Sequence, residues 1–324
     1  MAGMELSYSV TSSALTRSLL DGAVVPEGIR LRPEEAHSMD KLSRRMLKLD
    51  FDVAEMSIAT FVKGREQGLP LVALPLFTSG RRFLQRGFLM SKQSGMRDLS
   101  ELRGKRMGVS QYWMSSSVWQ RLVLRQMYGI APEEVNWVTT RSERMEGLKF
   151  PLKVKIVQDT SNRTPLDLLR VGEIDACMSP GNPQPGTQAD QLGEVAVPAY
   201  SDGLAAQKDY FRKTGVFPIM HVTVIKEELA LREPWLLTSL CDAYQQAKGE
   251  ALGREQSSSL NPQKSEIWME EMSDLMGDDQ WPYGIGPNRR ALEAFVETAY
   301  EQGLIGRPMK LEDLFAVGLP EKYL

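Results

Sequence analysis

The sequence predicts an α/β protein with two lobes, one inserted into the other. Over residues 1–91, short apolar strands alternate with helices, which is typical of a parallel sheet. A polar segment after residue 91 opens a second series of strands and helices that extends to residue 216. We therefore predict a discontinuous first lobe (1–91 and 217–324), an inserted second lobe (92–216) and two crossing hinge strands, near 88–91 and 219–225.

The elements of the first lobe follow from its apolar pattern and its capping residues. Ser38 precedes a helix whose apolar residues share one face. Ser12 or Ser13 is placed to begin the helix that follows the first strand, and Ser57 the helix that follows the third. The predicted strands of this part span residues 6–10, 29–32, 51–56 and 71–74.

Terminal signals also define helices in the second lobe. Gly129 ends a helix predicted over 115–128, and Thr164 caps a short helix with Pro165 at its first position. The predicted strands are 106–110, 135–138, 154–157 and 174–178, and the helices after residue 225 are 234–250, 262–276, 287–302 and 311–315.

Composition excludes several classes of protein. The formal net charge of -3 and the lack of a Lys/Arg stripe argue against nucleic-acid binding. No apolar run approaches the roughly 18 residues of a membrane span, and no secretory signal is visible, so we expect a cytoplasmic protein. Cys177 and Cys241 match no metal-ligand spacing and are predicted to be buried thiols. Aromatic helix faces near the C-terminus leave room for a homo-oligomer.

His221 is the most informative single residue. It is one of two histidines and lies in the apolar run Phe217–Ile225, which reads as a buried strand. A strand histidine is often only a core residue. On a crossing strand, however, His221 would lie at the back of a cleft between the lobes, where ligands commonly bind. Since imidazole titrates near neutral pH, such a histidine can exchange protons with a ligand.

Particular stretches carry a resemblance to known proteins. DLSELRGKRMGVS at 98–110 and GEIDACMSP at 172–180 resemble the type II periplasmic-binding-protein fold. Within this fold, the sequence resembles one group more specifically: cytoplasmic relatives of solute-binding proteins, which include aromatic-acid decarboxylases. Four stretches are similar to the 4,5-dihydroxyphthalate decarboxylase family: FDVAEMSIATF at 51–61, GVSQYWMSSSVW at 108–119, FPIMHVTVI at 217–225 and WPYGIGPNRRALEAF at 281–295.

One segment departs from the family pattern. Members carry a basic Arg-x-Phe-Arg-His-like stretch after the strand that ends near residue 77, whereas Thr78–Arg86 reads TSGRRFLQR and contains no histidine. The resemblance thus implies a decarboxylase of a hydroxylated, phthalate-type aromatic acid. Its substrate is expected to be 4,5-dihydroxyphthalate or a related acid.

The resemblance implies a need for proton transfer and for groups that hold carboxylates. His221 suits proton transfer, as general base or general acid. Glu55, at the end of a strand, can accept hydrogen bonds from catechol hydroxyls or act as a base; the alternative is a solvated strand-end carboxylate. Ser57, Arg81 and Arg82 are candidates for binding carboxylates, although Ser57 is equally well explained as a helix cap.

The second lobe supplies further candidates for substrate binding. Tyr112 or Trp113 can stack on an aromatic ring. Ser115, Ser116 and Ser117 lie at a helix start, where free amides favour anions. Ser179 follows directly on a predicted strand. The aromatic turn at 281–284 either walls the cleft or packs the next helix. No organic cofactor is predicted. A divalent metal ion is an open alternative, with ligands from Glu55, Asp52 and His221, but the spacing of these residues does not indicate a metal site.

Two further functions compete with the decarboxylase. The first is a non-catalytic solute-binding protein for a small aromatic carboxylate, against which the lack of a visible signal peptide argues. The second is another enzyme on the same scaffold, such as the pyrimidine-forming or menaquinone-pathway relatives. The resemblance of the stretches at 51–57 and 217–222 favours the decarboxylase.

Overall fold

A computed structural model describes residues 3–34, 38–178, 193, 195–254 and 266–324 of the chain. The predicted α/β class is confirmed, since strands and helices alternate along the chain and the strands form two mixed sheets. The chain divides into two compact units. The first contains Met1–Arg82, Phe217–Glu297 and Arg307–Leu324, and the second contains Phe83–Val216 and Thr298–Gly306.

The regular elements are numbered in chain order. The strands are β1 (Met4–Ser9), β2 (Ile29–Pro33), β3 (Val53–Ser57), β4 (Leu71–Leu74), β5 (Phe88–Ser91), β6 (Arg106–Val109), β7 (Asn136–Thr139), β8 (Lys155–Gln158), β9 (Ala176–Met178), β10 (Ala196–Pro198) and β11 (His221–Lys226). The α-helices are α1 (Ala14–Leu20), α2 (Met39–Met46), α3 (Ile58–Glu66), α4 (Ser115–Tyr128), α5 (Pro165–Arg170), α6 (Gly203–Thr214), α7 (Glu227–Arg232), α8 (Trp235–Arg254), α9 (Glu266–Met276) and α10 (Arg289–Glu301).

The sheet of the first unit has the strand order β2-β1-β3-β11-β4. β1 pairs in parallel with β2 on one side and β3 on the other, and β11 is antiparallel to both β3 and β4. The strand order therefore reverses between β1 and β3. Ligands of open α/β sheets bind at such a reversal, outside the carboxyl ends of the strands, so a ligand site is expected at this edge.

Burial explains why β3 and β11 read as apolar runs. Val53, Met56, Val222 and Val224 are each at most 1 % exposed, as expected for strands covered on both faces. Glu55 is the charged exception on β3, and it is also only 1 % exposed. A buried carboxylate is costly unless it is hydrogen-bonded, so its partners define the chemistry of this region.

The predicted helix ends are confirmed where the signals were strongest. The Ser38 hydroxyl accepts the Lys41 amide at 3.2 Å at the start of α2, and Thr164 accepts the Asp167 amide at the start of α5. α4 ends at Gly129, which has the positive φ of 65° that glycine adopts at little cost.

The sheet of the second unit has the order β10-β5-β9-β6-β7-β8. β5 pairs antiparallel with β9 and β10 there, although the sequence-based boundary at residue 91 assigned it to the first lobe. The same unit also contains residues 298–306. Apolar patterning shows that a strand is buried but not which sheet accepts its hydrogen bonds.

β10 and α6 were not predicted. β10 has three residues and ends in Pro198, too short a stretch for an alternating pattern to show. α6 did carry a readable signal, because the Asp202 carboxylate accepts the amides of Leu204 and Ala205, and Gly215 follows the last turn with φ 63°.

Both cysteines are free and buried, as predicted. Burial raises the pKa of the Cys177 thiol and of the Cys241 thiol to about 12, so both are protonated at neutral pH. Within the described residues, no helix combines the length and the apolar character that crossing a bilayer requires.

Candidate active site

Three polar side chains converge at the strand-order reversal of the first unit. Glu55 lies on β3, His221 is the first residue of β11, and Ser79 follows β4. In the antiparallel pairing of β3 and β11, Thr223 is opposite Glu55 and His221 is opposite Ser57. Residues that face each other across an antiparallel pair share one face, so Glu55 and His221 are diagonal neighbours on the same side of the sheet.

Hydrogen bonds join these side chains into one group. The Ser79 hydroxyl donates to Glu55 Oε1, and Ser79 Oγ lies 2.8 Å from His221 Nδ1. His221 Nδ1 is itself 3.5 Å from Glu55 Oε1. The Thr11 amide, just beyond β1, donates to Glu55 Oε2 at 2.9 Å. Glu55 is thus a buried, fully engaged carboxylate rather than the solvated strand-end residue that was the alternative.

The electrostatics of Glu55 favour its ionised form. Burial raises its pKa, but the hydrogen bond and charge of His221, followed by the hydrogen bonds from Ser79 and Thr11, lower the pKa below its ordinary value. An ionised Glu55 is a standing negative charge beside the imidazole. It therefore stabilises any positive charge that His221 acquires.

Gly80 forms a wall against the imidazole. Its φ is +67°, and a Cβ at this position would lie 2.6 Å from His221 Nδ1 and 2.9 Å from Cε1. Any side chain here would push the ring out of place, so glycine is required both by the backbone conformation and by the close approach.

Gly80→Ala is accordingly expected to lower turnover, because the new methyl group displaces the His221 ring. Gly68→Ala is the matched control: Gly68 also has a positive φ, +85°, but a Cβ there meets nothing within 4 Å. Both changes carry a similar backbone cost of about 1 kcal/mol. Comparing kcat and thermal unfolding of the two variants separates displacement of the ring from backbone strain. Equal activities would show that Gly80 does not hold the ring.

Arg81 lies two residues beyond Ser79 and is 7 % exposed. Its guanidinium carbon is 4.6 Å from the centroid of the Phe217 ring, and Nη1 donates to the Pro282 carbonyl at 3.3 Å. Its Nε has no hydrogen-bond partner, and no carboxylate of the described residues forms an ion pair with the guanidinium. Burial lowers the pKa of Arg81 to about 9, with Asp279 and Tyr283 opposing the shift.

Buried tyrosines surround the carboxylate and the arginine. The hydroxyls of Tyr8 and Tyr244 are 2.9 Å apart. The Tyr283 hydroxyl is buried and has no hydrogen-bond partner within the described part of the chain. Burial raises the pKa of Tyr244 and of Tyr283, and the charge of Glu55 raises it further in both. These phenols are neutral hydrogen-bonding groups beside the site.

The other candidates from the first unit lie close by. Ser57, the last residue of β3, is 1 % exposed and opposite His221, and its side chain makes no cap to α3. Its amide donates to Ser43 Oγ at 3.2 Å. Arg82 is half-buried, and burial lowers its pKa below the ordinary value.

The second unit holds Tyr112, Ser115 and Ser116. The Tyr112 ring is fully buried, with the Arg121 guanidinium carbon 3.8 Å from its centroid. Ser115 and Ser116 begin α4 and are also buried. The amides of Tyr112 and Trp113, just before this helix, donate to the carboxylate of Glu143, the former at 2.7 Å. Ser179 lies outside the described residues.

Sequence reasoning missed Ser79, Gly80 and the Tyr8–Tyr244 pair. Ser79 and Gly80 did carry a signal, since a polar residue and a glycine follow directly after a strand. The tyrosine pair had none, because its members are 236 positions apart in sequence.

No potential metal site of three or more His, Cys, Asp or Glu side chains occurs among the described residues. Asp52, considered as a ligand from the sequence, forms an ion pair with Lys226 at 2.9 Å and accepts hydrogen bonds from Ser7.

Comparison with known proteins identifies the family. A protein named 4,5-dihydroxyphthalate decarboxylase from Comamonas testosteroni is 29% identical over 330 residues, covering 97% of both chains. A second protein of that name, from Pseudomonas putida, is 30% identical over 224 residues, which cover 65% of this chain and 83% of the relative. The chain belongs to the 4,5-dihydroxyphthalate decarboxylase family. Decarboxylases are carboxy-lyases, so membership places the chain in that enzyme class. No protein-family profile matches it.

Solved structures of solute-binding proteins have the same fold as this chain. The periplasmic aliphatic sulphonate binding protein SsuA from Escherichia coli aligns with a TM-score of 0.58 at 14% identity, covering 99% of this chain and 95% of the other. A ligand-binding component of an ABC-type import system from Staphylococcus aureus aligns with a TM-score of 0.55 at 13% identity, covering 99% and 98%. The predicted two-lobed periplasmic-binding-protein-like fold is confirmed for this family member.

Proposed function

We propose that the protein decarboxylates a hydroxylated, phthalate-type aromatic acid, as in the conversion of 4,5-dihydroxyphthalate to protocatechuate. Its family supports the reaction, since a relative that spans 97% of this chain bears that substrate's name. The observation that carries the proposal is the Glu55–Ser79–His221 group, which sets a titratable ring against a buried carboxylate at the strand-order reversal.

The proposed reaction exchanges a carboxylate for a proton. In 4,5-dihydroxyphthalate, each carboxylate is para to a ring hydroxyl. Removal of a proton from that hydroxyl pushes electron density to the para carbon, which then takes up a proton. The bond from this carbon to its carboxylate breaks, its electron pair restores the aromatic ring, and carbon dioxide leaves. The ring oxygen, which is then a phenolate again, takes back a proton. One proton is consumed and one carbon dioxide is released per turnover.

His221 is proposed to transfer the protons, with Glu55 behind it. Proton transfer requires a group that gains and loses charge near neutral pH, and imidazole does so. The carboxylate of Glu55 lies behind this ring, with Oε1 3.5 Å from Nδ1. We therefore propose that His221 and Glu55, both in the first unit, are the catalytic residues.

Arg81 is proposed to bind the carboxylate that stays on the ring. A buried guanidinium without an ion pair is unfavourable, and a substrate carboxylate would supply the missing charge in a bidentate pair. Arg82 and Ser57 are proposed to assist it. Four further substrate contacts remain predictions from the sequence: Tyr112, Ser115, Ser116 and Ser179.

Cofactor requirement and location belong to the proposal as well. The reaction is proposed to proceed without an organic cofactor, with or without a divalent metal ion, in the cytoplasm. Measuring turnover after chelation and after readdition of Mg²⁺, Mn²⁺ or Zn²⁺ decides between the two versions of the chemistry.

The proposal is tested by incubating the protein with a panel of hydroxylated phthalates and benzoates while measuring carbon dioxide release. We expect release from 4,5-dihydroxyphthalate or a close relative, and little from phthalate, which has no hydroxyl to donate electrons. Equal rates with phthalate would contradict the proposed role of the para hydroxyl.

The periplasmic-binding-protein-like fold favours one alternative, a non-catalytic protein that binds a small aromatic carboxylate. Calorimetric titration with the same panel distinguishes the two functions. Binding without carbon dioxide release from any compound would support the binding protein and exclude the decarboxylase.

A further inference from the structure

We propose that Ser79 is a positioning residue that fixes the neutral imidazole of His221 as the tautomer with hydrogen on Nδ1, leaving Nε2 to accept a proton. The proposal rests on the hydrogen-bond chain from Thr11 through Glu55 and Ser79 to His221. Each member of that chain has a limited set of donors and acceptors, so the hydrogen positions can be worked out in order.

The first step is the carboxylate. Glu55 receives the Thr11 amide on Oε2, and both Ser79 Oγ and His221 Nδ1 approach Oε1. An ionised carboxylate only accepts hydrogen bonds. The two groups that approach Oε1 must therefore direct hydrogens toward it or toward each other.

The second step is the serine. A hydroxyl has a single hydrogen, and Ser79 Oγ is hydrogen-bonded to Glu55 Oε1, which as an ionised carboxylate oxygen only accepts. The Ser79 hydrogen is consequently committed to Glu55. Its oxygen, with free lone pairs, must act as the acceptor in the 2.8 Å contact with His221 Nδ1.

The third step is the ring. Because Ser79 accepts, Nδ1 carries a hydrogen whether the imidazole is neutral or charged. In the neutral ring this places the lone pair on Nε2. Resting His221 is thus a base, and under the proposed function it removes the proton of the substrate hydroxyl rather than donating to the ring carbon first. Gly80 adds to the effect by closing the side of the ring next to Nδ1.

The tautomer can be measured directly, without substrate, by long-range proton–nitrogen NMR on protein labelled with ¹⁵N-histidine. The sequence has only two histidines, so a His37→Gln variant assigns the signals. At alkaline pH, where imidazole is neutral, wild-type His221 should show its hydrogen on Nδ1. Ser79→Ala should shift the population toward hydrogen on Nε2, and Ser79→Thr, which keeps a hydroxyl, should largely restore it.

Ser13→Ala is the matched control. The Ser13 hydroxyl also bonds to this loop, donating to the Thr78 carbonyl at 3.2 Å, but it is not a partner of His221. Its removal should leave the tautomer unchanged. Hydrogen on Nε2 in the wild type, or an unchanged tautomer in Ser79→Ala, would overturn the proposal.

Kinetics complete the test. Ser79→Ala should lower kcat at least about 10-fold with little change in KM, because a ring in the other tautomer cannot take the hydroxyl proton. If the tautomer is as proposed but no phthalate is decarboxylated, the positioning role stands and the proposed function fails. If kcat falls while the tautomer is unchanged, Ser79 acts only through structure and the proposal fails.

Discussion

Replacing His221 by alanine is expected to lower kcat by about a thousandfold or more while substrate binding stays measurable. General acid–base catalysis contributes about 10²–10⁴ in rate, and the proposed reaction uses the ring in its first step. The substrate carboxylates are assigned to other residues, Arg81 foremost, so their binding should survive. Steady-state kinetics and calorimetric titration of the variant measure the two effects separately.

His37→Ala is the control for the loss of a histidine, since His37 is the other one in the sequence and no role is proposed for it. It should leave kcat within about twofold of the wild type. Unchanged turnover in His221→Ala would remove His221 from the mechanism. A parallel loss of kcat and of folded protein would instead assign it a structural role.

Replacing Arg81 by methionine is expected to weaken substrate binding and to stabilise the fold. Methionine keeps the length of the side chain and removes a buried charge that has no ion-pair partner among the described residues. Removing such a charge should raise the free energy of unfolding by about 1 kcal/mol, even after loss of the contact with Phe217. The substrate carboxylate loses its partner, so KM should rise about 30-fold or more, corresponding to about 2 kcal/mol.

Arg65→Met is the matched control in the same unit. Arg65 is also largely buried, but it pairs with Glu227 at 2.9 Å and donates to the Leu69 carbonyl at 3.1 Å. Its loss should destabilise the fold by about 1–3 kcal/mol and leave KM unchanged. A destabilised Arg81→Met with normal KM would show that Arg81 is structural and that the carboxylate binds elsewhere.

Sequence reasoning selected Glu55 and His221 as candidates because both interrupt apolar strands. Glu55 and His221 are polar residues in runs that read as buried, and strand ends at the reversal of an α/β sheet are the usual place for a site. Their mutual position was beyond sequence reasoning. It depends on the register that pairs His221 with Ser57, and a shift of one residue would turn every side chain to the other face.

The remaining parts of the site come from contacts that leave no local pattern. The surroundings of Arg81 leave it without an ion pair among the described residues, and nothing local encodes this, since Arg82 beside it looks equivalent in sequence. No local pattern shows that the amides of Tyr112 and Trp113 donate to Glu143, which lies 30 residues beyond Trp113 in sequence. The fold was more predictable than these contacts because each helix cap and strand is encoded within a few neighbouring residues.

The central claim is that the Glu55–Ser79–His221 group moves a proton during aromatic decarboxylation. The most direct measurement is the reaction of 4,5-dihydroxyphthalate in D₂O, followed by mass spectrometry of the product and by carbon dioxide release. The account predicts one deuterium on the ring carbon that lost its carboxylate and one carbon dioxide per product, with both forming about a thousandfold or more slowly in His221→Ala. Full incorporation and release in His221→Ala, or binding of the substrate without release by the wild type, would contradict it.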